Sequence, residues 1–222
     1  MRIGFVIFPG VTQLDFTGPL QFLGRMPGAE ARIIAKTRDA VSSDSALTIL
    51  PSHDFTDAGP LDLICVPGGF GIPDAIADDE TLAYVRETAA TATYVTSVCT
   101  GALLLGSAGL LAGKRATTHW AYTRLLDLFG ATHVDQRVVQ DGNTFTGGGV
   151  TAGIDFALTL IQAIHGQSVA EAMQLGFEYD PRPPVQSGHP SRAAPETLAR
   201  VTGTYTEQLG RTREAIVAAL NA

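Results

Sequence analysis

Short unbroken apolar runs alternate along this chain with stretches whose apolar positions recur every three to four residues. Ile3 to Phe8 has no polar position, as a strand covered on both faces requires, and Pro9-Gly10 stops it. Thr12 to Met26 has helical character, with an interruption expected at Gly18-Pro19. Ala31 to Thr37 and Leu61 to Gly69 are further strands, the second ended by a proline and two glycines; Leu47 to Leu50 reads as a short edge strand. Asp78, Asp79 and Glu80 open a helix to Thr91, since negative charge favours a helix N-terminus. Tyr94 to Cys99 is a buried, β-branched run, and at Thr100 the pattern turns helical at once, as far as Leu111.

Arg115 to His119 is the next strand, followed by a helix that Gly130 stops. Arg137 to Gly149 holds Asp141-Gly142-Asn143 between β-rich arms, a hairpin signal. Thr151 to Gly166 is a helix apolar nearly all round, so it is expected to be buried; Ser168 to Asp180 is another helix. Asp180 to Pro195 is too rich in proline for regular structure, and an amphipathic helix runs from Glu196. Strands alternating with helices predict an α/β fold with a mostly parallel sheet covered on both faces.

Composition narrows the function. The 222 residues carry a net charge of −7, so nothing electrostatic favours a nucleic-acid partner. No stretch reaches the ~18 apolar residues of a membrane span. The first apolar run ends too soon for a signal peptide, so the expected location is the cytoplasm. Two cysteines, Cys65 and Cys99, make no disulfide framework, and no Cys/His cluster has metal-ligand spacing.

The chemistry gathers at the strand–helix joint. Ligands of open α/β sheets bind beyond the carboxyl ends of the strands, where Cys99 falls. Thr100 opens the next helix, whose unpaired N–H groups are expected to favour a thiolate and lower the thiol pKa. The sharp turn is a nucleophile elbow with Cys in place of Ser, and Gly101 allows close backbone approach. Cys65 sits mid-strand and reads as a small buried hydrophobe. Amides of Gly69 or Phe70 and of Thr100 are candidates to accept developing negative charge. Asp15, an acid in an apolar context after the first strand, is either a helix cap or a proton donor with a raised pKa. His119 is either a base for Cys99 or a structural histidine in the site wall. The Thr100 hydroxyl either bonds the thiolate or water, or caps the helix. Phe70, Ile72, Trp120 and Val150 are candidates to line the pocket with His119.

The segments LDFTGPL, DLICVPGG, YVTSVCTGALLLGSAGLLAGKRATTHW and NTFTGGGVTAGIDFALTLI resemble the ThiJ/PfpI superfamily, and within it the isocyanide hydratase branch. The resemblance implies a flavodoxin-like, class I glutaminase-like α/β sandwich over residues 1–180. Residues 181–222 would be an extension packed on it. It implies a homodimer that needs no cofactor and no metal, acting on a small isocyanide and water to give an N-substituted formamide. By the same resemblance Cys99 matches the nucleophile, Asp15 the acid and Thr100 the adjacent residue implicated in activity. Two rivals share the elbow. One is the ligand-sensing domain of AraC-type regulators, which append a DNA-binding domain for which the 27 residues after Pro195 are too few. The other is a stress-related deglycase, chaperone or thiol sensor. A Cys-His amidase or peptidase is a third possibility, and it needs His119 to reach the sulfur.

Overall fold

The computed structural model describes residues 1–222. The first half of the chain builds β1 (Arg2–Val6), α1 (Gln13–Leu23), β2 (Glu30–Ala35), β3 (Val41–Ser42), β4 (Thr48–Ile49), β5 (His53–Asp54), β6 (Leu63–Val66), α2 (Ile72–Ile76), α3 (Asp79–Thr91), β7 (Tyr94–Val98) and α4 (Gly101–Ser107). The second half adds β8 (Arg115–Ala116), a 3-10 stretch over Trp120–Phe129, β9 (Thr132–His133), β10 (Val138–Asp141) and β11 (Thr144–Gly147). The helices α5 (Ala152–His165), α6 (Gln167–Gly176) and α7 (Pro195–Leu220) complete it.

Seven strands form the central sheet in the order β10-β11-β7-β6-β1-β2-β5. Every pairing is parallel except β10 with β11, the predicted hairpin, whose turn uses Gly142 at φ 60°. This is the mostly parallel α/β sandwich expected from the alternation of strands and helices. The apolar run Leu63–Val66 and the β-branched stretch Val95–Val98 are buried throughout because helices cover both faces. Chain order reverses direction between β1 and β6, which makes their carboxyl ends a topological switch point.

Three local expectations are corrected. α1 runs unbroken through Pro19. The proline removes one backbone bond, but Gly153 of α5 leaves room for its ring, and the packed helix tolerates the loss. Leu47–Leu50 contributes only β4, paired with β3 in a small hairpin off the main sheet, whose edge is β5 instead. The helix after Cys99 ends at Ser107, not Leu111. α7 packs against α2 and the 3-10 stretch, with Ile216 fully buried, so the C-terminal helix lies on the same body as the sheet.

Candidate active site

Cys99 leaves β7 and precedes α4, with its backbone held at φ 57°. Non-glycine residues seldom take this left-handed conformation, and here it is fixed from several sides. The Cys99 N–H donates to the carbonyls of Gly147 and Gly148, both at 3.0 Å, and the buried Thr118 hydroxyl donates to the Cys99 carbonyl at 2.8 Å. Gly101 is required by proximity: a Cβ there would collide with the Val66 carbonyl and lie 2.8 Å from that of Pro67. The elbow is thereby pressed onto the end of β6.

Asp15 lies in the first turn of α1 and is fully buried. It does not cap its own helix. Its Oδ2 accepts from the Gly68 N–H at 3.0 Å, across the switch point, while Oδ1 is buried with no hydrogen-bond partner. Burial pushes the Asp15 carboxyl up to about 7; the hydrogen bond with Cys99 and the Gly68 N–H oppose that rise, and the charge on Asp44 adds to it. Gly68 is as tightly placed as Gly101, because a Cβ there would lie 2.6 Å from Thr100 N and 2.9 Å from Asp15 Oδ2.

The thiol itself departs from the sequence expectation. Burial first, and then the negative charge Asp15 can carry, push Cys99 well above its ordinary range. The N–H groups of Val150 and Thr100 pull the other way. The amides behind the sulfur are thus present, but desolvation outweighs them, and an α4 of seven residues is a short dipole to set against it. The two acids together resist carrying two negative charges, and their protons are coupled. Cys65, buried in β6 and pushed up to about 12 by desolvation, is the inert thiol of the two.

A cavity of ≈ 130 Å³ opens at Cys99. Its walls include Thr12, Asp44, Phe70, Tyr122 and Tyr205, together with Gly69, Thr100, His119 and Val150. Thr100 leaves its helix uncapped; its hydroxyl accepts from the Gly69 N–H at 3.1 Å. That bond uses up the Gly69 amide, which is therefore not a free donor to substrate. Phe70 lines the cavity as expected. Ile72 does not line it: the residue is 1% exposed, packed into the core in the first turn of α2. Trp120 also misses it, facing a neighbouring groove with His189 and Val201. His119 Nδ1 accepts from the Ala121 N–H at 3.3 Å, so the neutral ring carries its proton on Nε2, and burial lowers its pKa to about 4. His119 accordingly stands neutral at pH 7 in the wall of the cavity beside Cys99.

The DJ-1/PfpI family profile matches residues 1–163. The chain belongs to the DJ-1/PfpI family. An isonitrile hydratase of Pseudomonas putida is 53% identical over 193 residues, 87% of this chain and 85% of that protein. A ThiJ/PfpI family protein from Pseudomonas syringae, known from its crystal structure, is 39% identical with a TM-score of 0.94, covering 97% of this chain and 90% of that one. The HTH-type transcriptional regulator GbdR of Pseudomonas aeruginosa is 27% identical over 186 residues; these are 80% of this chain and 50% of the regulator. Against this DJ-1/PfpI background, four cavity residues went unnoticed in the sequence: Thr12, Asp44, Tyr122 and Tyr205. Thr12 donates its hydroxyl to the Asp44 carboxylate, joining the first loop to the β3–β4 hairpin, and no local pattern announces that pairing. No helix of the protein is long and apolar enough to cross a membrane.

Proposed function

We propose that this chain hydrates isocyanides to N-substituted formamides, with Cys99 as nucleophile and Asp15 as proton carrier. The observation that carries the reading is the buried carboxyl, ionising near neutrality, that faces a thiol at a strained elbow. The 53% identity to an isonitrile hydratase supports the choice of reaction.

The chemistry starts from the singly protonated pair, in which the firmer hold of the thiol leaves the proton on Cys99 beside an Asp15 carboxylate; Asp15 takes that proton, giving the attacking thiolate and a carboxylic acid. The sulfur attacks the terminal carbon of R–N≡C while Asp15 gives its proton to that carbon, leaving a thioimidate and an Asp15 carboxylate. Water adds to the thioimidate carbon. Asp15 takes a proton from that water and passes it to nitrogen. Collapse of the adduct breaks the carbon–sulfur bond and returns the hydroxyl proton to Asp15. The formamide leaves, and transfer of the proton from Asp15 back to sulfur restores the thiol and the carboxylate. The Thr100 and Val150 N–H groups suit the charge on sulfur at both ends of the cycle.

Cytoplasmic action as a homodimer fits the reading. α6 buries none of its residues and Leu175 is 81% exposed, which leaves a face for a second copy. Light scattering that gives a monomer mass would overturn the dimer.

The deciding assay mixes purified protein with a simple aromatic isocyanide and follows the formamide by chromatography. Cys99→Ala is expected to keep the wild-type circular dichroism spectrum and lose about 10³-fold or more in kcat, the loss typical of removing a nucleophile. Retained turnover in Cys99→Ala would end the mechanism.

A further inference from the structure

The aromatic wall over the sulfur comes from three separate segments. Phe70 follows β6, His119 and Tyr122 flank the start of the 3-10 stretch, and Tyr205 sits midway along α7. Tyr205 joins the other rings: its centroid lies 5.0 Å from His119, 6.0 Å from Tyr122 and 6.5 Å from Phe70. Among the cavity residues it alone lies beyond residue 163, outside the part that matches the family profile.

α7 holds this ring in place. Gln208 Nε2 donates to the Phe70 carbonyl at 2.6 Å, three residues along from Tyr205. Arg211 pairs with Asp74 at 3.3 Å, and Ile216 anchors the helix in the core. The stretch of α7 that carries the ring is therefore tied to the body of the molecule on its C-terminal side. The space it bounds, ≈ 130 Å³, is modest. An apolar cavity of about 150 Å³ holds one benzene, so a group attached to the reacting N≡C has room to be compact and little room to branch.

We propose that Tyr205 is the specificity-determining residue of the site, admitting isocyanides with a linear or compact substituent and rejecting bulky branched ones. The proposal rests on the hydration reading and names its substrate class. kcat/KM would be compared for n-butyl and tert-octyl isocyanide in wild type, Tyr205→Ala and Tyr205→Trp. Tyr205→Ala is expected to raise the tert-octyl to n-butyl ratio about tenfold, the scale on which a few methylenes of pocket space discriminate. Tyr205→Trp is expected to lower it. A ratio that stays within about twofold in both variants overturns the proposal, because a merely structural tyrosine would depress both substrates together.

A second measurement needs no hydration. Alkylation of Cys99 by iodoacetamide and by N-phenylmaleimide would be timed by peptide mass spectrometry. Tyr205→Ala is expected to speed the larger reagent more than the smaller. If wild type hydrates nothing and the maleimide preference still shifts, the hydratase reading fails and the wall stands. If the reagent preference does not move, the wall fails.

Discussion

Asp15 and Cys99 both hold their protons more firmly than usual, Asp15 to about 7 and the thiol further, so the second proton of the pair is lost far above the first. The reacting form carries one proton and one negative charge. kcat/KM is therefore expected to rise as pH passes through about 7, where the first proton leaves, and to stay level until the thiol range. A profile that is flat across neutrality would contradict the shared-proton account. Asp15→Asn separates the causes. It removes the charge that helps raise the thiol, so the apparent pKa of Cys99, read from the pH dependence of its alkylation, should fall. Hydration should be lost by about 10² to 10⁴-fold, as expected on removing a general acid. An unchanged thiol pKa in that variant would leave burial as its sole cause.

At the scale of elements, the site depends on how closely α4 approaches the end of β6. Val66 and Pro67 meet Gly101 with backbone carbonyls, which cannot swing aside. Gly101→Ala is expected to lift the elbow off β6. The cost should be about 1–3 kcal/mol of stability, the range for overpacking, with a larger proportional loss of turnover. Thermal melts and kcat measured together test this, and a variant that loses stability but keeps full turnover would show that the elbow tolerates the shift. Much of this arrangement was legible in the sequence, because strand, cysteine and second glycine fall within one short segment and the period changes there. Long apolar strands were legible for the same reason. What escaped was short or remote. α2 has five residues and β5 two, too few to show a period. The stretch from Trp120 reads as helical, but ten residues do not separate a period of three from one of 3.6, and it is 3-10. Asp44 and Tyr205 reach the cavity through tertiary contacts alone, so no local spacing marks them. The thiol pKa was misjudged because a local dipole is visible in sequence and desolvation is not.

For the molecule as a whole, Asp15 is a burden that the fold carries at neutral pH. Its pKa is about 7 when folded against an ordinary 3.8. Between those values the folded state binds the proton and the unfolded chain does not. Stability contributed here is fully present below about 4, falls as pH rises toward 7, and stays reduced above. A shift of this size corresponds to about 4 kcal/mol at most, before coupling to Cys99 divides it. That is a large share of the 5–15 kcal/mol typical of a domain. Asn at this position keeps an acceptor for the Gly68 N–H and cannot ionise. Asp15→Asn is therefore expected to melt several degrees above wild type near pH 8, since about 1 kcal/mol moves a domain of this size by roughly 2–4 °C. Near pH 4, where Asp15 is protonated in the folded protein, the two should melt together. The melting difference between the two pH values isolates the ionised carboxylate from any packing change, which would act equally at both. Equal differences at both would mean that Asp15 is solvated in the folded protein, and the proton it lends to catalysis would need another source.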